Sequence, residues 1–125
     1  MNVALVIHHH QPSGNLEDGV RRAVEGAYRP ILELLEAHAQ LRVNLHYSGA
    51  ILEWLETHDV AVIERVRGLG NRSEHLCGAI QEPLLALIPR EDAVAQVGAH
   101  WSLLERLFGV GARGFYLTEF AWEPH

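Results

Sequence analysis

The feature that most constrains this chain is a repeated switch of hydrophobic period, from short apolar runs to helically spaced positions and back. Residues 3–7 (VALVI) are a continuous apolar run, which predicts a strand buried on both faces, as in a parallel sheet. From Gly19 the period changes: Val20, Val24, Ala27, Ile31, Leu34, Leu35 and His38 recur at helical spacing. Pro30 falls inside that pattern and predicts a kink, or two pieces with Pro30 in a first turn. Residues 41–46 alternate and predict a second strand. Ser48 is placed to cap a helix carrying Ile51, Leu52 and Leu55, and a further helix covers 60–67 and stops at Gly68-Leu69-Gly70. Residues 72–77 read as a third strand and 79–89 as an apolar loop between prolines. Arg90-Glu91-Asp92 opens a helix with Val94, Val97, Trp101, Leu104 and Leu107 or Phe108 on one side, ended by Gly109 and Gly111. Residues 114–118 predict a fourth strand, with Glu119 at its end.

Strands alternating with helices imply an α/β fold with a parallel sheet and right-handed crossovers. Four such strands are about half of an eight-stranded barrel. The expectation is a parallel β/α half-barrel, with residues 1–125 forming the N-terminal portion of a catalytic barrel cut off after its fourth strand. An open sheet edge of that kind seeks a partner, so a homo-oligomer or a missing C-terminal half is expected beside it. Composition agrees with a globular chain, at 48% hydrophobic and 21% charged residues. A net charge of -6 without any Lys/Arg cluster argues against nucleic acid as a partner. The single cysteine, Cys77, excludes an intrachain disulfide and a thiolate zinc site, and reads as a small buried hydrophobe. No run approaches the roughly 20 apolar residues of a membrane span, and no signal segment opens the chain. A cytoplasmic location and no membrane partner are therefore expected.

In parallel α/β folds chemistry gathers at the carboxyl ends of the strands. There this sequence carries His8-His9-His10-Gln11, then His46-Tyr47, then Glu74-His75, then Glu119 with Trp122-Glu123. Imidazoles, carboxylates and aromatics on one rim make a sugar site: carboxylates supply acid, base or nucleophile, and aromatics stack on sugar faces. On a strand, His8 and His10 share a face while His9 points to the other, where packing against the helix layer is expected. His46, Glu74 or Glu119 could complete a metal site with His8 and His10. Blander roles compete: Glu119 as a surface carboxylate, Glu74 as a partner of Arg72, Trp54 and Trp101 as core. Glu33, Glu36, Glu53, Glu56 and Glu64 read as a solvated face.

Several stretches carry a family likeness. Residues 7–12 (IHHHQP), 43–49 (VNLHYSG) with Leu52-Glu53-Trp54, Glu74 with residues 82–92 (EPLLALIPRED), and 114–124 (GFYLTEFAWEP) resemble, in order and with matching gaps, the motifs of glycoside hydrolase family 57. The likeness is nearest to its 4-α-glucanotransferase and α-amylase members. It implies an incomplete (β/α)7 barrel of TIM type that cleaves α-glucan links with retention and needs neither metal nor cofactor. It further implies that Glu119 is the nucleophile, forming a covalent glucosyl-enzyme, that His10, Gln11 and Glu74 contact the sugar, and that Trp122 walls the subsite. His8 and His46 join the expected substrate-binding set by their place on the rim. The substrate class would be starch, glycogen or maltooligosaccharide.

Retaining chemistry needs a second carboxyl group about 5–5.5 Å from the first. The likeness assigns it to an aspartate of a later motif, and Asp18, Asp59 and Asp92 all fall away from the rim, so the chain alone is expected to be inactive. Phe120-Ala121 stands where the family often has Arg-Val, Arg72-Ser73 where it has Gly-Gln, and Gln81 where an aromatic is common. Two rivals stand beside this reading. One is a metal-dependent hydrolase like the polysaccharide deacetylases, against which the lack of an aspartate near the first strand counts. The other is a non-catalytic remnant or subunit.

Overall fold

Hydrophobic alternation and the turn residues settle into four strands and five α-helices in the computed structural model, which describes residues 3–109 and 111–123. The order is β1 Val6–His9, α1 Glu17–Ala23, a π-helical turn Val24–Tyr28, α2 Arg29–Ala37, β2 Val43–Tyr47, α3 Gly49–His58, α4 Val60–Gly68, β3 Ser73–Cys77, α5 Arg90–Phe108 and β4 Gly114–Phe115. Short 3₁₀ turns occupy Gly70–Arg72, Leu85–Leu87 and Thr118–Phe120. The strands form one parallel sheet in sequence order, β1-β2-β3-β4, as a β/α barrel adds them. No described helix is long and apolar enough to cross a membrane.

The register pairs His8 with His46, His9 with Tyr47, Asn44 with Glu74 and Leu76 with Gly114. Because successive side chains alternate, Val43, Leu45, Tyr47, His9 and Cys77 face the helices. They pack there with Leu32, Leu35, Leu52, Leu55, Ile63 and Leu104, all nearly inaccessible. Each such leucine contributes about 1.5–3 kcal/mol through burial. The other face of the sheet is covered only in part by this chain: His46 and Leu76 are closed over there, while the first strand stays open. The first strand is therefore not buried on both faces as residues 3–7 suggested: Val6 is 45% exposed and Val3 77%. Regular pairing also starts later than expected and runs through His9, so His8 and His9 are strand residues.

The first helical segment comes in pieces, with Pro30 in a first turn, as one of the two expectations had it. The π turn before it widens the spiral by one residue, with the Arg29 N–H reaching the Val24 carbonyl, and Pro30 sits in the first turn of α2, where its missing N–H costs least. Ser48 stands at the N-cap of α3 but makes no capping bond; its hydroxyl lies 3.4 Å from both the backbone N and O of Gln11. Helix α5 starts with Glu91 and Asp92 in its first turn, which suits the helix dipole, and ends at Gly109 with φ 71°, whose N–H bonds the Glu105 carbonyl. Trp54 packs against the core, whereas Trp101, expected there too, is 39% exposed and lies over Gly111. Of the acidic face, Glu36 and Glu64 pair with Arg65 and Arg67 and Glu56 with Arg106. The fourth strand is shorter than residues 114–118, because the chain tightens into a 3₁₀ turn in which Glu119 and Phe120 both take positive φ.

Candidate active site at the carboxyl rim

Strand alternation places His8 and His46 side by side on the face turned away from the helices, their Nδ1 atoms 2.9 Å apart. The Tyr116 ring stacks on both, with centroids 4.3 Å from His8 and 4.5 Å from His46. His9 turns the other way, as the alternation predicts, stacking on Tyr47 at 4.3 Å with its edge to Tyr28. Burial pushes the His9 imidazole down to about 4 and His46 down to about 3, the latter with help from neighbouring imidazoles. His8 is also lowered, by burial first and His10 second, against an opposing pull from Glu119. The rim histidines His8 and His46 thus favour their neutral forms, each offering one donor and one acceptor nitrogen.

Glu82 lies at the centre of this group, in the loop between β3 and α5. Its side chain is 5% exposed. One oxygen, Oε2, ion-pairs with His10 Nδ1 and lies 3.8 Å from His8 Nε2. The other, Oε1, is 3.3 Å from His46 Nδ1, yet has no partner in hydrogen-bonding geometry. Burial raises the Glu82 carboxyl above its ordinary range; His10 opposes that shift and the charge of Glu119 adds to it. The ligand atoms of His8, His10 and Glu82 all fall within 4.8 Å of one another, a grouping able to hold a metal ion.

Two buried devices hold the rim in place. His100, on α5, accepts the Gly78 N–H at Nδ1 and bonds the Tyr47 carbonyl through Nε2, both at 2.9 Å, tying β2 to the end of β3. Gly78 must be glycine for His46 to sit where it does: a Cβ there would come within 2.6 Å of His46 Nε2 and 3.1 Å of the Tyr116 carbonyl. Three non-glycine residues have positive φ: Glu82 at 53°, Glu119 at 54° and Phe120 at 53° among the described residues. Left-handed backbone costs an ordinary residue roughly 1–2 kcal/mol. Both carboxylates of the rim are thus held by strained backbone, a pattern that clusters at functional sites.

The expected site residues divide into those gathered here and those set apart. Glu119 is exposed, and its charge is felt at His8, Glu82 and Tyr116, so it shares the rim with the first-strand imidazoles. His10 and His46 join through Glu82. Gln11 stands at the margin, its amide donating to the Tyr28 hydroxyl and accepting from Asn15, while Tyr28 donates to the His10 carbonyl. Trp122 is 75% exposed and borders a depression of about 500 Å³ with Leu85, Phe115 and Leu117. Glu74 is on the correct face but near the start of β3, opposite Asn44. At about 3.3 Å per residue it lies some 6–7 Å below the His46 level. There it lines a cleft of about 730 Å³ with Arg67, Asn71 and Arg113, and the rim position expected for it is filled by Glu82. Pro124, last residue of the fourth matching stretch, lies outside the described residues. Asp59 pairs with Arg29 between helices, and Asp18 and Asp92 sit in the first turns of α1 and α5.

Sequence reasoning assigned no role to Glu82, Tyr116 or His100. A signal existed for the first: a lone acid flanked by Ala79, Ile80, Leu84 and Leu85 is out of place in an apolar loop unless something buried receives it.

Comparison with known proteins supplies the family. The model of "Glycosyl hydrolase family 57" matches residues 4–125. An α-amylase of Pyrococcus horikoshii is 40% identical over 99% of this chain, which covers 20% of that protein. A 4-α-glucanotransferase of Thermococcus litoralis is 36% identical over 99% of this chain and 19% of its own length. Its crystal structure superposes with a TM-score of 0.93 over 97% of this chain and 19% of that one. A peptidoglycan N-acetylglucosamine deacetylase, at 18% identity and TM-score 0.59 over 86% of this chain and 42% of its own, shares the fold alone. The chain thus spans about a fifth of the curated relatives it matches. Matching the family model over residues 4–125, this chain belongs to glycosyl hydrolase family 57.

Proposed function

We propose that this segment forms the nucleophile side of a retaining α-glucan hydrolase or 4-α-glucanotransferase. Glu119 attacks the anomeric carbon of a bound glucose unit, the glycosidic bond breaks, and the leaving oxygen takes a proton from a second carboxyl group. Water or a sugar hydroxyl then releases the glucosyl group from Glu119. His8, His10, His46 and Gln11 bind the sugar hydroxyls, Glu74 contributes from below, and Trp122 walls the subsite. The observation that carries the reading is the convergence of Glu119, the His8–His46 pair and Tyr116 at one rim. The neutral His8 and His46 imidazoles offer hydroxyl groups both donors and acceptors, and the Glu119 carboxylate is exposed. The activities of the relatives, α-amylase and 4-α-glucanotransferase, support the substrate class.

The test has two arms. Maltotetraose should bind this chain in an NMR titration, with His10→Ala and Trp122→Ala each weakening it several-fold. In any longer form that turns over glucan, Glu119→Ala should remove turnover while leaving binding near its original strength. Turnover retained in that variant overturns the assignment of Glu119.

A further inference from the structure

Helix α5 carries a second apolar stripe, separate from the one formed by Leu103, Leu104 and Leu107 that faces the core. Arg90, Val94, Val97, Gly98 and Trp101 line a shallow depression of about 450 Å³ there. With Glu105 they fall within about 100° of one another around the helix, at about 100° per residue. Val94 is 64% exposed, and a Cβ added to Gly98 would meet no atom within 4 Å. The stripe has an exposed charge at each end, Arg90 at the start of α5 and Glu105 one turn before its close. Neither side chain makes an ion pair or a hydrogen bond among the described residues.

We propose that α5 pairs with α5 of a second copy of this chain, antiparallel, about a two-fold axis between Val97 and Gly98. The stripe is complementary to itself in that arrangement. Arg90 and Glu105 lie equally far from the axis on opposite sides, and so do Val94 and Trp101. A two-fold contact is isologous, so every pairing occurs twice. Arg90 of each copy meets Glu105 of the other at the two ends. Between them Val94 packs on the Trp101 ring of the other copy, the kind of aromatic anchor on which interfaces depend. Gly98, with no side chain and open space beside it, lets Val97 of the other copy approach closely. A parallel pair would set Arg90 against Arg90 and Glu105 against Glu105, so the end charges select the antiparallel direction. The paired stretch is one helix wide and about 22 Å long at 1.5 Å per residue, which places the contact in the weak class of interfaces. It uses none of the residues assigned to the sugar and holds or fails independently of the glucan reading.

Sedimentation equilibrium of the 125-residue chain, from micromolar to millimolar concentration, tests the pairing. A reversible monomer–dimer equilibrium is expected. Arg90→Glu and Glu105→Arg should each weaken the dimer about tenfold, because each sets like charges together at both ends. Both substitutions suit the helix dipole, an acid at the start of α5 and a base near its end, so the helix should stay folded in each. Mixing the two variants is the decisive arm. Every end contact of the mixed pair joins opposite charges, so a heterodimer should form at about the strength of the unaltered dimer, which a misfolded chain could not do. A chain that stays monomeric throughout overturns the proposal. So does a dimer that both charge variants leave intact, or a mixture of the two variants that stays monomeric.

Discussion

The two faces of this sheet are built from the same strands yet obey different rules. On the helix side, His9, Tyr47, Leu45 and Cys77 are closed in by α-helices, and even a histidine there serves as a packed ring. On the other side, His8, His46 and Tyr116 stack beside the Glu82 carboxylate, with His46 fully buried beneath them and Val6 left half-exposed. His8 and His9 are adjacent in sequence and differ only in the direction the pleat sends them. One face therefore packs the core and the other gathers the rim imidazoles and carboxylates, with the division set by the two-residue period of a strand.

The sharpest way to break that contrast is to cut the packed face. Leu45→Ala should lower unfolding free energy by about 2–5 kcal/mol in urea denaturation. Val6→Ala, on the open face, should cost well under that. Equal losses would mean that the second face is covered in solution, for instance by another copy of the chain.

Acid probes the same difference through the buried imidazoles. His9 and His75 sit at about 4 and His46 at about 3, all because burial disfavours their charged forms, against 6.5 in the unfolded chain. The unfolded state therefore binds protons that the folded state refuses. Stability is full above pH 6.5 and falls as pH drops toward 4, by up to about 2–3 kcal/mol per histidine. His9→Phe should flatten that slope in a pH series of denaturation curves. An unchanged slope would show that His9 is not protected as its packing implies.

Gly78→Ala sharpens the comparison at the point where the faces meet. The added methyl group strikes His46 Nε2, so a loss of about 1–3 kcal/mol is expected, together with a shift of the His46 and Tyr116 ring resonances in NMR. Smallest of all should be Arg65→Ala, which removes a surface ion pair with Glu36. A change within about 1 kcal/mol is expected, and a larger one would place that helix pair among the main stabilising contacts.

The order of elements was legible because hydrophobic period reports the local environment: strand alternation at 43–47, helical spacing across 90–108 and the glycine at 109 each act through neighbours in sequence. The same locality explains the errors. Residues 3–7 read as doubly buried because an apolar run cannot say whether anything covers its second face. Trp101 read as core because spacing gives a helix face but not what lies opposite. Glu74 was assigned to the rim from its place in a motif, although its depth along β3 depends on a register fixed by pairing with Asn44.

From its residues alone, this chain is committed to alternating strands and helices, to a split between His8 and His9, and to a carboxylate, Glu119, following its fourth strand. These follow from backbone periodicity and turn chemistry, which act over a few residues. Only the assembled sheet decided that Glu82 lies among three imidazoles, that Tyr116 covers two of them, and that His100 ties the rim together. Those contacts join residues tens of positions apart, and they exist only once parallel pairing has set the register of every strand.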